Sequence, residues 1–487
     1  MTRPSPDGSQ FVVVANRLPV DRVVADGEVQ WTRSPGGLVT ALEPVMRRNA
    51  GTWVGWPGVP DLDVEPFDTG GMHLVPVTLS AEEVAEYYEG FANGTLWPLY
   101  HDVTGEPVFD RRWWDRYVAV NRRFADITAK EAGKGATVWV QDYQLQLTPA
   151  MLRRARPDLS IGFFNHIPFP GWELFSRLPW RRQVVEGLLG ADLVGFQRGS
   201  DASNFLRAAR ATTAVTTRGS VVEVPEPGGE PSRRTEGGVR LARAAAFPIS
   251  IDAESLSRLA ATDKTLARSK ELRKELGEPR RLLLGVDRLD YTKGILQRLR
   301  AYGELLDEGR IGPPDEVLLV VASPSRERVE EYQRLRDEVE AIVGRINGDH
   351  STLGRPAVHY LHRTLPQEEL AALYRAADVM LVTPLRDGMN LVAKEYVACR
   401  NDLRGALVLS EFTGAADELR QAFLINPWDI DGTKAMILRA LDVDPADATR
   451  RMRALRRRVA EFDVHHWASA FLGALEMVAE SRSEAAG

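Results

Sequence analysis

The sequence predicts an α/β protein with two doubly wound parallel sheets that face each other across a cleft. Short apolar runs alternate with longer helical patterns, which is typical of strand–helix–strand units. The runs are continuously apolar, as expected for strands that helices cover on both faces. They fall into two groups separated by a polar segment, and 487 residues are enough for more than one domain.

The two groups of predicted strands define the two domains. The first group comprises residues 11–15, 138–140, 161–164 and 193–196, and the second 282–286, 317–322, 379–382 and 406–410. Between them, residues 224–238 are rich in glycine, proline and charge, which favours a surface excursion such as a hairpin tip.

The domain boundaries follow from this grouping. We expect the first domain over residues 1–247 and the second over 248–463, with a C-terminal helix over 464–487 packing back on the first. Residues 247–252 would carry the chain from one domain to the other. Residues 264–277 predict a charged amphipathic helix whose charges form a solvated face.

Composition excludes several classes of function. The formal net charge of −6 argues against nucleic-acid binding. Cys399 is the only cysteine, so the chain forms neither an intrachain disulfide nor a cysteine-based metal cluster. The first ten residues lack the apolar core of a signal peptide, and no apolar stretch is long enough to span a bilayer. These features predict a cytoplasmic enzyme that does not bind membranes.

Polar side chains follow the strand predicted over residues 379–382. Asp387, Gly388 and Asn390 come just before a helical stretch that contains Glu395. In open parallel sheets, ligands bind beyond the carboxyl ends of the strands. A helix N-terminus adds backbone N–H groups and a positive dipole end. The stretch therefore predicts a site for an anionic or hydroxyl-rich ligand.

Two cations, Arg288 and Lys293, follow the first strand of the second group, and we call them the clamp. They could hold a diphosphate, since arginine offers a fork of donors and lysine a mobile point charge. Alternatively, they could pair with Asp287 and Asp290 nearby. A third strand end repeats the arrangement, because Arg326 follows the next strand.

The N-terminal half has matching candidates. A Gly-Gly turn at 36–37 opens a helical stretch and could approach a phosphate or sugar closely, although such pairs are most often plain turns. A lone histidine is more often structural than catalytic, and most tryptophans are packing residues. The candidate side chains near strand ends and in the aromatic segment are Arg17, Tyr88, Trp97, Asp142 and His166.

Nine motifs in order give a specific resemblance. They are ANRLPV, SPGGLVTAL, EYYEGFANGTLWP, QDYQLQLTP, GFFNHIPFP, LLGADLVGFQ, DRLDYTKGI, GRINGDHSTLG and TPLRDGMNLVAKEYVA. Together they resemble the trehalose-6-phosphate synthases of glycosyltransferase family 20, from about residue 11 to the C-terminal HHWASAFL. The resemblance implies the GT-B fold of two Rossmann-like domains. It also implies transfer of glucose from a nucleotide sugar to glucose 6-phosphate, with retention, giving α,α-trehalose 6-phosphate.

The resemblance assigns roles in the donor site. The clamp would hold the diphosphate, Asp387 the sugar hydroxyls and Glu395 the ribose, and the base would be read near Leu365. His166 would face the transferred glucose and, with Asp387 and the clamp, form the catalytic set. The implied donor-binding residues are Gly36, Gly37, Arg288, Lys293, Leu365, Asp387, Gly388, Met389, Asn390, Leu391, Val392 and Glu395.

The resemblance also implies an acceptor site. Arg17, Tyr88 and Arg326 would hold the acceptor phosphate, and Trp97 and Asp142 would lie near the acceptor sugar. One departure is visible, since residues 141–144 read Gln-Asp-Tyr-Gln where many relatives have His-Asp-Tyr-His. The aspartate is kept, so we expect the acceptor contact to survive.

The expected partners are a nucleotide-glucose donor and glucose 6-phosphate, with no cofactor and no metal. GDP-glucose and UDP-glucose both stay open as donors. High arginine, alanine and glycine usage is typical of actinobacteria and favours GDP-glucose slightly. A homo-oligomer is compatible with the sequence. Two other functions stay open: a pseudo-glycosyltransferase that joins cyclitol units, and a non-catalytic sugar-phosphate sensor. The intact acceptor and clamp residues argue against both.

Overall fold

The structure, a computed structural model, describes residues 8–25, 28–34, 37–102, 106–225 and 238–486. The chain divides into two compact units. The N-terminal unit comprises Met1–Pro248 and Trp467–Gly487, and the C-terminal unit comprises Ile249–His466. The sequence placed these boundaries after residues 247 and 463.

The strands of the described residues are numbered in chain order. They are β1 (Ser9–Arg17), β2 (Val20–Ala25), β3 (Glu28–Arg33), β4 (Thr52–Trp56), β5 (Phe67–Thr69), β6 (Met72–Pro76), β7 (Ala132–Gln141), β8 (Ser160–Phe164), β9 (Leu193–Phe196), β10 (Thr216–Arg218), β11 (Val221–Pro225), β12 (Val239–Ala246), β13 (Arg281–Arg288), β14 (Glu316–Ser323), β15 (Val358–Leu361), β16 (Val379–Val382), β17 (Ala406–Ser410) and β18 (Phe423–Ile425).

The α-helices are numbered in the same way. They are α1 (Gly37–Arg48), α2 (Ala81–Glu83), α3 (Trp97–His101), α4 (Arg111–Glu131), α5 (Thr148–Ala155), α6 (Trp172–Phe175), α7 (Arg181–Leu188), α8 (Gly199–Thr212), α9 (Ala253–Ala260), α10 (Asp263–Glu275), α11 (Ile295–Asp307), α12 (Glu330–His350), α13 (Gln367–Ala376), α14 (Leu391–Cys399), α15 (Gly414–Glu418), α16 (Ile430–Leu441), α17 (Pro445–Glu461) and α18 (Val464–Ala486). A π-helical segment, Val84–Leu96, joins α2 to α3.

The N-terminal unit is built on a ten-stranded sheet in the order β10-β11-β12-β9-β8-β7-β1-β4-β6-β5. The seven strands from β12 to β6 are parallel, and β5, β10 and β11 extend the two edges in antiparallel pairing. From β1 the chain adds β4 on one side and later β7 on the other. The strand order therefore reverses between β1 and β7, where doubly wound sheets bind ligands.

The C-terminal helix α18 packs on the sheet of the N-terminal unit. The ring of Phe471 stacks on Trp139 of β7 with centroids 4.6 Å apart, and Trp467 lies 5.0 Å from the same indole. A Cβ atom on Gly162 or Gly195 would come within 2.7 Å of the Phe471 ring. The two glycines of β8 and β9 thus make the space that this helix occupies.

The C-terminal unit contains a six-stranded sheet in the order β15-β14-β13-β16-β17-β18, and every pairing is parallel. The strand order reverses between β13 and β16. Its core is formed by apolar side chains of the sheet and of α11, α12 and α16, including Leu283, Leu299, Val320, Val339 and Ile437. Continuous burial along these strands explains their unbroken apolar runs.

The fold class predicted from the sequence is confirmed, and all eight predicted strands are present. The amphipathic helix predicted over residues 264–277 is α10. Residues 224–238 join the antiparallel pair β11 and β12, but residues 226–237 lie outside the described residues. Among the helices of the described chain, none is long and apolar enough to cross a bilayer.

Candidate active site

In the C-terminal unit, two candidate side chains meet where the strand order reverses. Lys293 follows β13, and Asp387 follows the neighbouring β16. The ammonium Nζ of Lys293 lies 2.6 Å from Oδ2 of Asp387, with the side chains 12% and 15% exposed. The residue predicted to bind the diphosphate is therefore in direct contact with the residue predicted to bind the sugar hydroxyls.

Asn390 connects Asp387 to the helix that follows. Its Nδ2 donates to Oδ2 of Asp387 at 3.3 Å, and its Oδ1 accepts the N–H of Ala393 at 3.0 Å, which caps α14. Its φ of +116° is rare for a residue with a side chain, so this turn is strained. The first turn of α14, with Leu391 and Val392, thus begins beside the Asp387 carboxylate.

The backbone at Gly388 and Met389 is held by a second loop. The N–H of Ala415 donates to the carbonyl of Met389 at 3.2 Å. A Cβ atom on Gly414 would lie 2.1 Å from the carbonyl oxygen of Gly388, so only glycine allows this close approach. The loop before α14 is therefore held by contacts within the protein.

Glu395 and Leu365 lie in the same unit. The hydroxyl of Tyr374 donates to Oε2 of Glu395 at 2.9 Å. Burial raises the pKa of Glu395, and the hydrogen bond from Tyr374 opposes the rise. Leu365 lies half-buried in the loop between β15 and α13. Their assignments to the ribose and the base stay predictions.

Arg288, the last residue of β13, is exposed and contributes to the field around a buried carboxylate. Asp290 is fully buried. Burial alone raises the pKa of Asp290, but Arg326, Arg288 and Lys293 outweigh it and lower the pKa to about 2. One buried carboxylate thus lies in the field of both clamp cations and of a second arginine.

Arg326 has a different environment from the one its predicted role suggests. Its side chain is 5% exposed and lies 3.1 Å from Asp290. It also bonds to the hydroxyl of Tyr332. It belongs to the C-terminal unit, whereas Arg17 and Tyr88 belong to the N-terminal unit. Its assignment to the acceptor phosphate stays a prediction.

The alternative in which the clamp pairs with Asp287 and Asp290 is wrong for Lys293, whose ammonium is bonded to Asp387. Asp287 instead pairs with the buried Arg298 at 2.5 Å. A Cβ atom on Gly285 would lie 2.0 Å from Nη1 of that arginine, so β13 carries a glycine there to make room. The Asp287 pair is part of the packing beneath the site.

In the N-terminal unit, Arg17 ends β1 at the strand-order reversal. Its guanidinium lies 5.2 Å from the ring centre of Trp56, which is 6.3 Å from the ring of Tyr88. A Cβ atom on Gly58 would lie 2.2 Å from Nη2 of Arg17. Arg17 is 45% exposed and pairs with Asp21 at 2.8 Å. Because exposed ion pairs contribute less than about 1 kcal/mol, this guanidinium can readily bind another anion.

Trp97 is a buried packing residue. Its ring is 4% exposed and lies 4.0 Å from His101 and 5.7 Å from Tyr143. Tyr143 directly follows Asp142, whose φ of +71° turns the chain sharply at the end of β7. Trp97 therefore supports the turn that carries Asp142, and its contact with a sugar stays a prediction.

His166 and Asp142 lie together, as their strand ends predicted. The backbone N–H of His166 donates to Oδ1 of Asp142 at 3.0 Å. Burial lowers the pKa of the His166 ring to about 3, so the ring is neutral near pH 7. The two residues join the ends of β7 and β8.

The Gly-Gly turn is only partly described. Gly37 is the first residue of α1, and Gly36 lies outside the described residues. Their contact with the donor stays a prediction.

Sequence reasoning missed three residues that support the site. In the sequence, Asp290 was considered only as an alternative ion-pair partner of the clamp, in place of a diphosphate. Tyr374 lies on α13 and reaches Glu395 only through the fold. Gln197 lies 3.5 Å from the ring of His166 and directly follows β9, so the strand-end rule could have found it.

The chain is similar to known glycosyltransferases over most of its length. The family model of glycosyltransferase family 20 matches residues 9–477. A trehalose-6-phosphate synthase of Mycolicibacterium vanbaalenii is 61% identical over 475 residues, covering 96% of each chain.

Two solved structures are also similar. An E. coli structure described as bound with UDP-2-fluoro glucose has a TM-score of 0.85 and 34% identity, covering 96% of this chain and 99% of that one. A UDP-forming α,α-trehalose-phosphate synthase of Burkholderia xenovorans in complex with glucose-6-phosphate has a TM-score of 0.85 and 32% identity. It covers 96% of this chain and 100% of that one. The chain is an enzyme that belongs to glycosyltransferase family 20.

Proposed function

We propose that the enzyme transfers glucose from a nucleotide sugar to glucose 6-phosphate with retention, forming α,α-trehalose 6-phosphate. The observation that carries the proposal is the contact between Lys293 and Asp387 beside the start of α14. It combines a cation, a carboxylate and a helix N-terminus at the strand-order reversal of one sheet.

The donor chemistry follows from these three groups. A nucleotide sugar presents a diphosphate and a hydroxyl-rich ring. Cations and the N-terminal end of a helix attract the diphosphate. A carboxylate accepts hydrogen bonds from sugar hydroxyls, and each such charge-assisted bond is stronger than a neutral one. The diphosphate and the sugar would therefore replace the contact that Lys293 and Asp387 make with each other.

The acceptor chemistry follows from the N-terminal unit. Arg17 is exposed and held over Trp56, so its fork of donors suits a phosphate. Asp142, at the neighbouring strand end, offers a carboxylate for a sugar hydroxyl. The Burkholderia xenovorans relative carries glucose-6-phosphate, which supports the same acceptor for this chain.

The two other functions predict different behaviour. A pseudo-glycosyltransferase would use a cyclitol acceptor, and a sensor would bind ligands without turnover. We therefore expect nucleoside diphosphate release that depends on glucose 6-phosphate. The assay compares glucose 6-phosphate, an amino-cyclitol phosphate and no acceptor. Release with the cyclitol alone, or binding without release, would support one of the other functions instead.

Metal independence is the first prediction. The clamp and the start of α14 supply positive charge to the diphosphate, so we expect initial rates to be unchanged in excess EDTA. Among the described residues, no group of three or more His, Cys, Asp or Glu side chains is arranged to hold a metal ion. Loss of activity in EDTA, with recovery on adding magnesium or manganese, would contradict this prediction.

The donor base is the second prediction. Base readout near Leu365 through the main chain leaves little signature of the base in the side chains, and the family resemblance allows both donors. We expect kcat/KM for GDP-glucose to equal or exceed that for UDP-glucose. Both values are measured with saturating glucose 6-phosphate. A large preference for UDP-glucose would reverse this assignment.

The mechanism we propose is attack on the face from which the diphosphate departs. Retention through two displacements needs a carboxylate nucleophile at the anomeric carbon. Each of the three candidates has another assigned role: Asp142 at the acceptor sugar, Asp387 at the donor hydroxyls and Glu395 at the ribose. The acceptor oxygen would therefore bond to the anomeric carbon as the carbon–phosphate oxygen bond breaks. Its proton would pass to the departing phosphate oxygen.

The third prediction tests this route. Asp142, Asp387 and Glu395 are replaced by alanine one at a time, and azide is supplied with the donor. No variant should yield β-glucosyl azide, because none of these carboxylates acts as a nucleophile that azide could replace. Mass spectrometry of the intact wild-type enzyme should likewise show no glucosyl adduct. Either species, traced to one of these carboxylates, would establish double displacement.

A further inference from the structure

The carboxyl ends of three adjacent strands are joined by one chain of side chains. β7, β8 and β9 are neighbours in the sheet of the N-terminal unit. Gln141 ends β7, His166 follows β8 by two residues, and Gln197 follows β9 directly. Gln141 and Gln197 are 1% and 3% exposed, so both amides are buried beside the imidazole.

Both nitrogens of the His166 ring face these amides. Nε2 lies 2.9 Å from Oε1 of Gln141, and Nδ1 lies 3.5 Å from Nε2 of Gln197. A carbonyl oxygen only accepts, so Nε2 must carry the proton. The amide nitrogen of Gln197 donates, so Nδ1 must present its lone pair. The contacts thus select one tautomer of the neutral ring.

The remaining surroundings favour the same neutral form. The ring lies 4.6 Å from the ring of Phe164 and 6.1 Å from that of Trp467, neither of which titrates. The Oδ1 atom of Asp142 accepts the backbone N–H of His166. Burial among these groups lowers the pKa of the imidazole to about 3.

We propose that Gln141 and Gln197 are positioning residues that hold His166 as the neutral, Nε2-protonated tautomer with both ring nitrogens bound to protein. The inference deepens the proposed function and rests on it for the role of the site. His166 then takes part in no proton transfer with the substrate. Its backbone N–H orients Asp142, and the two amides fix the ring that anchors this backbone.

The test uses protein labelled with ¹⁵N-histidine, in which eight histidines give signals. Long-range ¹H–¹⁵N spectra report the tautomer and the titration of each ring. The His166 signal is assigned by its loss in His166→Gln. In the wild type we expect an Nε2-protonated ring that does not titrate between pH 5 and 8. A ring that titrates near 6.5, or that carries its proton on Nδ1, would overturn the proposal.

Two near-isosteric variants extend the test. Gln141→Leu removes the acceptor, so the ring of His166 should no longer be protonated purely on Nε2. The kcat of this variant should fall about tenfold or more, while both KM values change little. Gln141→Glu keeps the acceptor and adds charge, so the ring pKa should rise. The kcat of this variant should then fall toward low pH, with its inflection at the pH where the ring titrates. Gln333→Leu, at an exposed position of α12, is the matched control.

The spectra separate failure of the inference from failure of the proposed function. Unchanged ring signals in both Gln141 variants would overturn the positioning role whatever the activity. Should Gln141→Leu fail to fold, the wild-type spectrum and Gln141→Glu still decide. If no transfer to glucose 6-phosphate is found but the ring behaves as expected, the proposed function fails and the assignment of the tautomer stands.

Discussion

Replacing Lys293 by alanine is expected to lower kcat by about 10²-fold or more, as loss of a preorganised electrostatic stabiliser does in other enzymes. Negative charge grows on the diphosphate as it leaves, so a fixed cation stabilises the transition state more than the ground state. Initial rates at saturating donor and acceptor measure the effect. Arg288→Ala should change kcat in the same direction.

Two further variants make this test specific. Lys270→Ala removes an exposed lysine of α10 and should leave kcat unchanged. Lys293→Ala also leaves Asp387 without the ammonium that lies 2.6 Å away. Lys293→Arg keeps a cation beside that carboxylate, so it should retain more activity than Lys293→Ala. Near-normal turnover in a folded variant that lacks both clamp cations would contradict their assignment to the leaving diphosphate.

Replacing Asp290 by alanine is expected to reduce the free energy of unfolding by about 3–5 kcal/mol, the usual cost of breaking a buried ion pair from one side. Asp290 accepts hydrogen bonds from the N–H and hydroxyl of Thr292, from Arg326 and from Tyr332. Its loss removes the carboxylate that lies 3.1 Å from the buried guanidinium of Arg326. Urea unfolding followed by tryptophan fluorescence measures the change.

The pH dependence of stability gives an independent check. The folded pKa of Asp290 is about 2, below the usual value of about 3.9. The contribution of ionised Asp290 to the free energy of unfolding is therefore complete above pH 4 and is lost as the pH falls through 2. The stability difference between wild type and Asp290→Ala should shrink over that window.

Matched variants identify the cause of the destabilisation. Asp337→Ala, on the exposed face of α12, should change stability by less than about 0.5 kcal/mol. Asp290→Ala combined with Arg326→Met should cost less than Asp290→Ala alone, because the buried guanidinium is removed together with its carboxylate. An equal or larger loss in the double variant would contradict this account.

The strands that sequence analysis predicted are those at the centres of the two sheets. Their side chains are buried on both faces, so β9, β16 and β17 read as unbroken apolar runs. β15 was missed because VHYL is only partly buried and includes a histidine, and β4 was missed although it is buried along its length. The rule that ligands bind at strand ends predicted the positions of Lys293 and Asp387, since it depends only on strand order.

The partners within the site were less predictable. The sequence offered Asp287 and Asp290 as neighbours of the clamp, but the fold brings Asp387, 94 residues away, to Lys293. It likewise buries Arg326 against Asp290. Charge pairing over such separations depends on loop geometry and on the packing of adjacent strands. A local motif contains neither.

The product of the reaction tests the central claim most directly. The enzyme is incubated with a nucleotide-glucose donor and glucose 6-phosphate, and the product is examined by ¹H and ³¹P nuclear magnetic resonance. We predict a non-reducing disaccharide monophosphate with two α-configured anomeric centres, α,α-trehalose 6-phosphate. A β-linked product, a reducing disaccharide, or free glucose without transfer to glucose 6-phosphate would contradict the account.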